Sequence, residues 1–424
     1  MRVLLLTPNT EQINMPVMPL GLACVAESSR QAGHEVALID LMFEPDPGRV
    51  LAEQITAFRP DCIGVSVRNI DDQNMASARF LLDEVRERIE VCRRLSTAPV
   101  VLGGAGYSIY PRSSLAYLGA DMGIAGEGEA VFPELLARME RGRDVARLPG
   151  LYIRGNDGHQ PRRTVEALHT LKLPGADLLS ASASRSPDPW IPVQTRRGCA
   201  FNCSYCTTPV IEGTRLRRRP PEQVMGWLQA WVEAGYRNFF FVDNTFNLPA
   251  DYARELCRQI IDARLDIRWQ AIIYPQRVDA ALVRLMAEAG CVHISLGYES
   301  GSGYILKRMN KRFTPDEVRV VAERFGEHGI ERMGFLLLGS PGETRETVEE
   351  SLVFSDSLRL EMLNITAGVR ICPNTPLAQQ AQAEGVAPEN APLLRPRFYL
   401  APGLEDWLPD RLTDWAASHP NVMI

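Results

Sequence analysis

The sequence predicts an α/β chain: a doubly wound, Rossmann-like parallel sheet, then a partial (β/α)6 barrel and a short C-terminal extension. Three observations carry this. Short Val-, Ile- and Leu-rich runs recur along the chain, separated by stretches of helical periodicity, as in parallel sheets covered on both faces. A Pro-, Ser- and Arg-containing connection over 146–190 divides the alternation in two. After it, six further strand candidates follow one another with helices between them, the order of a barrel that works at its strand C-termini.

Taken in order, RVLLLTP is the first strand, and LGLACVAESSRQAG is a helix stopped by Gly33. HEVALID is the second strand, a helix spans 51–58, and DCIGVSV is the third strand. A long helix over 75–94 leads to PVVLGGAGYS, a strand that breaks into a Gly-rich turn. DMGIAGEGE and a helix over 130–140 close a front domain at residue 145. Ligands of such sheets bind at the strand C-termini. Those ends carry Thr7-Pro8-Asn9, Asp40, Arg68-Asn69, Gly103-Gly104-Ala105-Gly106 and Gly126-Glu127-Gly128-Glu129. LYIRGNDGHQPRRTV, within the linker, reads as a small hairpin. The barrel, over 191–377, takes VQTRRG, FFFVDN, WQAIIY, VHISLGYE, RMGFLLLG and ITAGVRICP as its strands. The extension, 378–424, is Pro-rich with a short helix over 404–417.

Composition sets outer bounds. Hydrophobic residues are 45% and charged residues 23%, the profile of a globular protein. A net charge of −6 argues against nucleic-acid binding through a basic surface. No apolar run is long enough to cross a bilayer, and the N-terminal run is too short for a signal segment. A cytoplasmic protein is expected, whose nine cysteines are thiols or metal ligands rather than disulfides.

Three of those cysteines fall in RGCAFNCSYC, as Cys199, Cys203 and Cys206. On a loop after a strand, C-x3-C-x2-C lets three thiolates converge and leaves a metal position open, as a catalytic iron–sulfur site requires. The other reading is zinc completed by a distant ligand such as Cys257, Cys291 or a histidine, although no second CxxC stands nearby.

The triplet, with Tyr205 at its aromatic position, resembles the radical S-adenosylmethionine (SAM) enzymes. The resemblance covers about residues 190–375 and continues in FFFVDNTF, LGYESGSGYILKRMNK, GFLLLGSPGET and VRICPNTPL, in the family's order. It implies a [4Fe–4S] cluster on the three thiolates, SAM chelating the fourth iron, and one-electron cleavage of SAM to a 5′-deoxyadenosyl radical. It places Tyr205, Asp243, Asn244, Ser295, Glu299, Ser300, Gly339, Pro341 and Gly342 around SAM. Arg196 and Arg197, beside the thiolates, are expected to favour the reduced cluster. An electron donor such as flavodoxin or ferredoxin is implied as a partner.

The front domain resembles the cobalamin-binding domain that precedes many such barrels, through MPLGLACVAESSRQAGHEVALIDL, VVLGGAGYSIYP and GADMGIAGEGEAVFPELL. The resemblance places cobalamin against Thr7, Pro8, Asn9, Arg68, Asn69, Gly103, Gly104, Gly106, Gly126 and Glu127. No Asp-x-His-x-x-Gly loop is present, so the cobalamin is expected base-off and without a histidine ligand. Arg68 is the candidate below cobalt, or else the partner of Asp71 or Asp72. The implied activity is methylation of an unactivated carbon in a small molecule, a lipid or a peptide. Cyclisation, rearrangement and a vestigial front domain are the alternatives.

Overall fold

The computed structural model describes residues 1–12, 16, 18–186, 188–389 and 392–424. Its first sheet is built from β1 (Arg2–Thr7), β2 (Glu35–Asp40), β3 (Cys62–Ser66), β4 (Val100–Gly103), β5 (Met122–Ile124) and β6 (Leu151–Ile153). The order is β2-β1-β3-β4-β5-β6, parallel except for β6. Val3, Leu4, Leu5 and Leu6 are all buried, because helices cover both faces. On one face α1 (Leu20–Gln31) packs against α6 (Gly128–Glu140) and α7 (Ala176–Arg185). On the other, α2 (Pro47–Phe58) packs on α3 (Leu82–Leu95), which meets α5 (Pro111–Leu118). The short α4 (Ala105–Ile109) follows β4 directly.

Two details differ from the sequence expectation. The long helix begins at Leu82, not at residue 75. Asp72 Oδ1 accepts from the N–H groups of Asn74 and Arg79, and Asn74 Oδ1 from those of Ala76 and Ser77, so side-chain-capped turns occupy the expected first helical turns. The expected hairpin over 151–165 is instead one strand, β6, which leaves to pair antiparallel with β5. Part of the stretch read as linker therefore belongs to the first sheet, and α7 packs on α1 of the same domain.

The second sheet has seven parallel strands in the order β17-β14-β13-β12-β11-β10-β7. They are β7 (Ile191–Val193), β10 (Asn238–Phe241), β11 (Arg268–Ile273), β12 (Cys291–Glu299), β13 (Glu331–Leu338), β14 (Met362–Ala367) and β17 (Val422–Met423). A hairpin of β8 (Arg196–Arg197) and β9 (Arg217–Arg218) brackets the cysteine loop, with α8 (Thr208–Glu212) inside it. The strands are joined by α9 (Pro221–Glu233), α10 (Ala250–Asp262), α11 (Ala280–Glu288), α12 (Gly303–Arg308), α13 (Pro315–Glu327) and α14 (Arg345–Leu358). Strand periodicity divides the barrel cleanly. Trp269, Ala271 and Ile273 of β11 are buried, whereas Gln270 and Ile272 line the interior cavity.

The extension does more than trail. β15 (Val369–Arg370) pairs with β16 (Phe398–Tyr399), α15 (Pro376–Ala383) is capped by the Thr375 hydroxyl, and α16 (Leu408–Ala416) leads to β17 beside β14. The barrel sheet thus takes its seventh strand from the last residues of the chain. Among the described residues no helix is long and apolar enough to cross a membrane.

Candidate functional site

The cysteine loop leaves β8 at Gly198, whose φ of 88° and close approach to the Arg215 carbonyl exclude a side chain. Cys199 N donates to Gly213 O at 3.1 Å, and Ser204 N to Met309 O at 3.0 Å, which pins the loop at both ends. All three cysteines are free thiols. The Cys206 thiol donates to Thr208 Oγ1 at 3.4 Å, and that hydroxyl donates to Asn244 Oδ1 at 3.4 Å. Burial pushes the Cys203 thiol up to about 11, and the nearby Lys311 ammonium pulls against it. Burial raises Cys199 too, with Cys206 among its neighbours.

Among the described residues no three His, Cys, Asp or Glu side chains converge on a single metal ion. A cluster needs no such convergence, since each thiolate takes its own iron. Three thiolates on one loop are the donor set of a three-thiolate iron–sulfur cluster, and among the described residues no fourth ligand completes a zinc site. Cys257 and Cys291 are buried elsewhere, in α10 and at the start of β12.

A cavity of about 1100 Å³ runs from this loop through the barrel. Tyr205, Cys206, Ser295 and Glu299 line it, together with Gln270, Phe335, Thr366 and Cys372. Glu299, at a φ of 63°, is held by Lys311 at 3.1 Å. Lys311 Nζ lies 5.3 Å from the centre of the Tyr205 ring. Burial opposes the Lys311 charge, but Glu299 and Tyr205 keep its pKa well above the ordinary value.

Other expected SAM neighbours make hydrogen bonds within the protein. Asp243 is fully buried and accepts from Thr195 N (2.8 Å), Thr195 Oγ1 (2.6 Å) and Arg196 N (3.1 Å), fastening β10 to the segment before the cysteines. Ser300 bonds Ser351 of α14 at 3.0 Å, away from the cavity. Gly339, Pro341 and Gly342 form a closed turn outside the described lining. Glu343 Oε2 accepts from Gly339 N and from Ser340 N (3.0 Å), and Pro341 O accepts from Arg308 Nε at 2.9 Å. Asn244 stays by the cysteine loop, donating to Glu212 at 3.1 Å.

The two arginines require a correction. Neither lends free charge to the cysteines. Arg196 is buried and faces Asp243, with Nε 3.5 Å from its carboxylate. Arg197 is buried and bonds Glu129 at 2.5 Å. Each arginine is held by its own acid, and although Lys311 is paired too, with Glu299, it is the cation that acts on Cys199 and Cys203. Sequence spacing could not reveal this, because Glu129 is 68 residues upstream.

The front domain has its own cavity, of about 470 Å³, at the C-terminal ends of its strands. Thr7, Ser66, Gly103, Gly104, Gly126 and Glu127 rim it, above apolar walls from Leu5, Val65 and Phe132. No histidine is among its described lining residues, and His34 lies at the other end of β2. Gly104 has a φ of 97°, and a Cβ there would sit 2.5 Å from Val67 O. Gly106 does not line the cavity. Its N–H donates to the carbonyls of Val67 and Arg68 at 3.0 Å each, which fixes the backbone of Arg68. Pro8, Asn9 and Asn69 border a small adjoining recess, and the Asn9 amide nitrogen is buried without a partner among the described residues. An apolar slot with a glycine rim and an orphaned amide donor fits the tail and amide side chains of a corrinoid.

Arg68 lines both large cavities. Among the described residues no acid pairs with it: Asp71 is taken by Arg370 at 2.8 Å and Asp72 by Arg79 at 3.2 Å. Its side chain is exposed, and partial desolvation by the cavity walls lowers the guanidinium pKa. Sequence reasoning missed Lys311, Arg370 and Cys372, although Lys311 stood in view within LKRMNK and the other two within VRICPNTPL.

The match to known proteins runs in the same order. The B12 binding domain model matches residues 7–136, and the radical SAM superfamily model matches 193–354. An uncharacterised methyltransferase of Pyrococcus horikoshii is 28% identical over 91% of this chain and 84% of its own length. The tryptophan 2-C-methyltransferase of Streptomyces laurentii is 27% identical over 91% of this chain and 75% of its own. The structure of TsrM, a radical SAM methyltransferase from Kitasatospora setae, with cobalamin and a [4Fe–4S] cluster bound, superposes with a TM-score of 0.89. It is 26% identical and covers 100% of this chain and 92% of that one. With a B12-binding module and a radical SAM module in succession, and Arg68 lining the cavity of each, the chain belongs to the cobalamin-dependent radical SAM methyltransferase family.

Proposed function

We propose that the protein transfers a methyl group to a carbon of a small molecule held in the barrel cavity. The observation that carries this reading is that the two cavities share a wall: Arg68, Met18, Phe240 and Ile272 line both. Cys199, Cys203 and Cys206 hold the cluster, and Glu299 and Tyr205 flank SAM at its edge. Thr7, Gly103, Gly104 and Gly126 receive cobalamin. When bound, these groups supply a hydrogen-abstracting adenosyl radical and a transferable methyl group.

The chain's own residues bind, orient and exclude. Glu299 offers a carboxylate to the hydroxyls or ammonium of SAM, while Lys311 fixes its rotamer. Arg68 stays protonated and has no lone pair, so it cannot ligate cobalt. It would instead occupy the approach and keep other ligands out, in keeping with a base-off cobalamin. Phe240, Ile272, Met333 and Phe335 give the cavity apolar walls, and Gln270, Ser295 and Thr366 add polar points. That mixture suits a compact molecule with an apolar body, such as an aromatic amino acid, and the name of the Streptomyces relative favours the same class. A small reduced flavin or iron–sulfur protein would supply the electron.

Anaerobic incubation with methyl-deuterated SAM, cobalamin, a reductant and a panel beginning with aromatic amino acids tests the reading. The expected product is a substrate carrying the deuterated methyl group. A product of unchanged carbon count would select cyclisation or rearrangement instead.

A further inference from the structure

A buried ionic cluster ties the front cavity to the cysteine loop, and nothing in the proposed chemistry uses it. Arg197 Nη2 meets Glu129 Oε1 at 2.5 Å, and Arg197 Nη1 lies 3.7 Å from Glu127. Arg217, paired with Arg197 across the β8–β9 hairpin, meets Glu127 at 2.6 Å. All four side chains are nearly inaccessible, at 3–6% exposure, so none can exchange its partner for water.

The two ends of this cluster are both functional. Glu127, Gly128 and Glu129 line the front cavity where α6 begins. Arg197 stands two residues before Cys199. A second strut runs parallel to it. Glu212 of α8 lines the same cavity and accepts from Gly198 N at 3.0 Å, while α8 packs on α4, the helix after the Gly103-Gly104 turn. A ligand in the front cavity would therefore lie against groups that set the start of the cysteine loop. Burial raises the Glu129 carboxyl, but Arg197 outweighs it and holds the carboxyl below its usual range, so the pair is ionised.

We propose that Arg197 and Glu129 are positioning residues that couple the two cofactor sites, so that cobalamin in the front cavity tightens SAM binding at the cluster. The coupling is reciprocal: SAM tightens cobalamin by the same factor. This rests on the assignment of the two cavities above.

The test uses the full chain with its cluster reconstituted anaerobically and measures the SAM Kd with and without saturating hydroxocobalamin. In the parent, cobalamin should lower that Kd at least about fivefold, the lower end of ordinary coupling. In E129Q/R197M both charges go together, which avoids stranding one of them. Cluster absorbance should persist and each cofactor should still bind, with its own altered Kd, while the ratio of SAM Kd values falls to about one. R197K keeps the charge but loses the fork, and should give an intermediate ratio; it carries the test if the double variant does not fold. A merely structural pair would lower stability and leave the ratio alone. An unchanged SAM Kd in the parent, or the full ratio in both variants, overturns the coupling. Failure of the parent to bind cobalamin at all overturns the cavity assignment as well.

Discussion

Lys311 Nζ and Glu299 Oε1 meet at 3.1 Å beside the cysteine loop, both largely buried, with the Tyr205 ring against the ammonium. A cation fixed next to a cluster favours its reduced, more negative state. Lys311→Met should therefore lower the midpoint of the SAM-free cluster by at least about 59 mV, tenfold for one electron. Glu299→Gln should raise it, and the double variant should return towards the parent. Redox titration followed by electron paramagnetic resonance reads all three. A Lys311→Met midpoint equal to that of the parent would remove Lys311 from this role.

The cysteines divide by position. Alanine at Cys199, Cys203 or Cys206 should abolish the cluster's visible absorbance and all 5′-deoxyadenosine formation. Alanine at Cys24, Cys62 or Cys92, all buried in the front domain, should keep both. Their thiols are pushed up to about 12 by burial and serve as small apolar side chains. A full cluster spectrum in any variant of the triplet would contradict the assignment.

Glu343 makes the protein's stability depend on pH. Burial lifts its carboxyl from an ordinary 4.5 to about 7, against the pull of the Gly339 and Ser340 N–H groups. The folded state thus holds the proton more tightly than the unfolded one. Its contribution is complete below about pH 4.5 and is lost as pH rises through 7, worth roughly 3 kcal/mol across that window. Glu343→Gln should flatten the decline in unfolding midpoint between pH 5 and 8. An unaltered pH profile in the variant would show that Glu343 is ionised throughout.

Much of this was legible in the sequence because it is local. Continuous apolar runs such as Val3–Leu6 announced strands buried on both faces, and C-x3-C-x2-C with Tyr205 announced the cluster loop. What escaped depends on distance along the chain. Arg197 looked like free charge until the fold brought Glu129 to it across 68 residues. Asp71 offered itself as a partner for Arg68 and instead holds Arg370, 299 residues away, across the domain boundary. The seventh barrel strand, Val422–Met423, is two residues long and exists only because β14 has an open edge to receive it. The motifs place Asp243 and Ser300 near the cofactor but do not announce their bonds to Thr195 and Ser351, 48 and 51 residues away.

The state of the cobalt tests the account most directly. Cobalamin is placed in a cavity whose described lining contains no histidine, with Arg68 at the junction. Full-length protein should be loaded with cobalamin, reduced to the cob(II)alamin form, and examined by electron paramagnetic resonance. An axial nitrogen splits each cobalt line into a triplet. The account predicts bound cobalamin without that splitting in the parent, and its appearance when Arg68→His brings a nitrogen to the site. A triplet in the parent, or no binding of cobalamin, would contradict it.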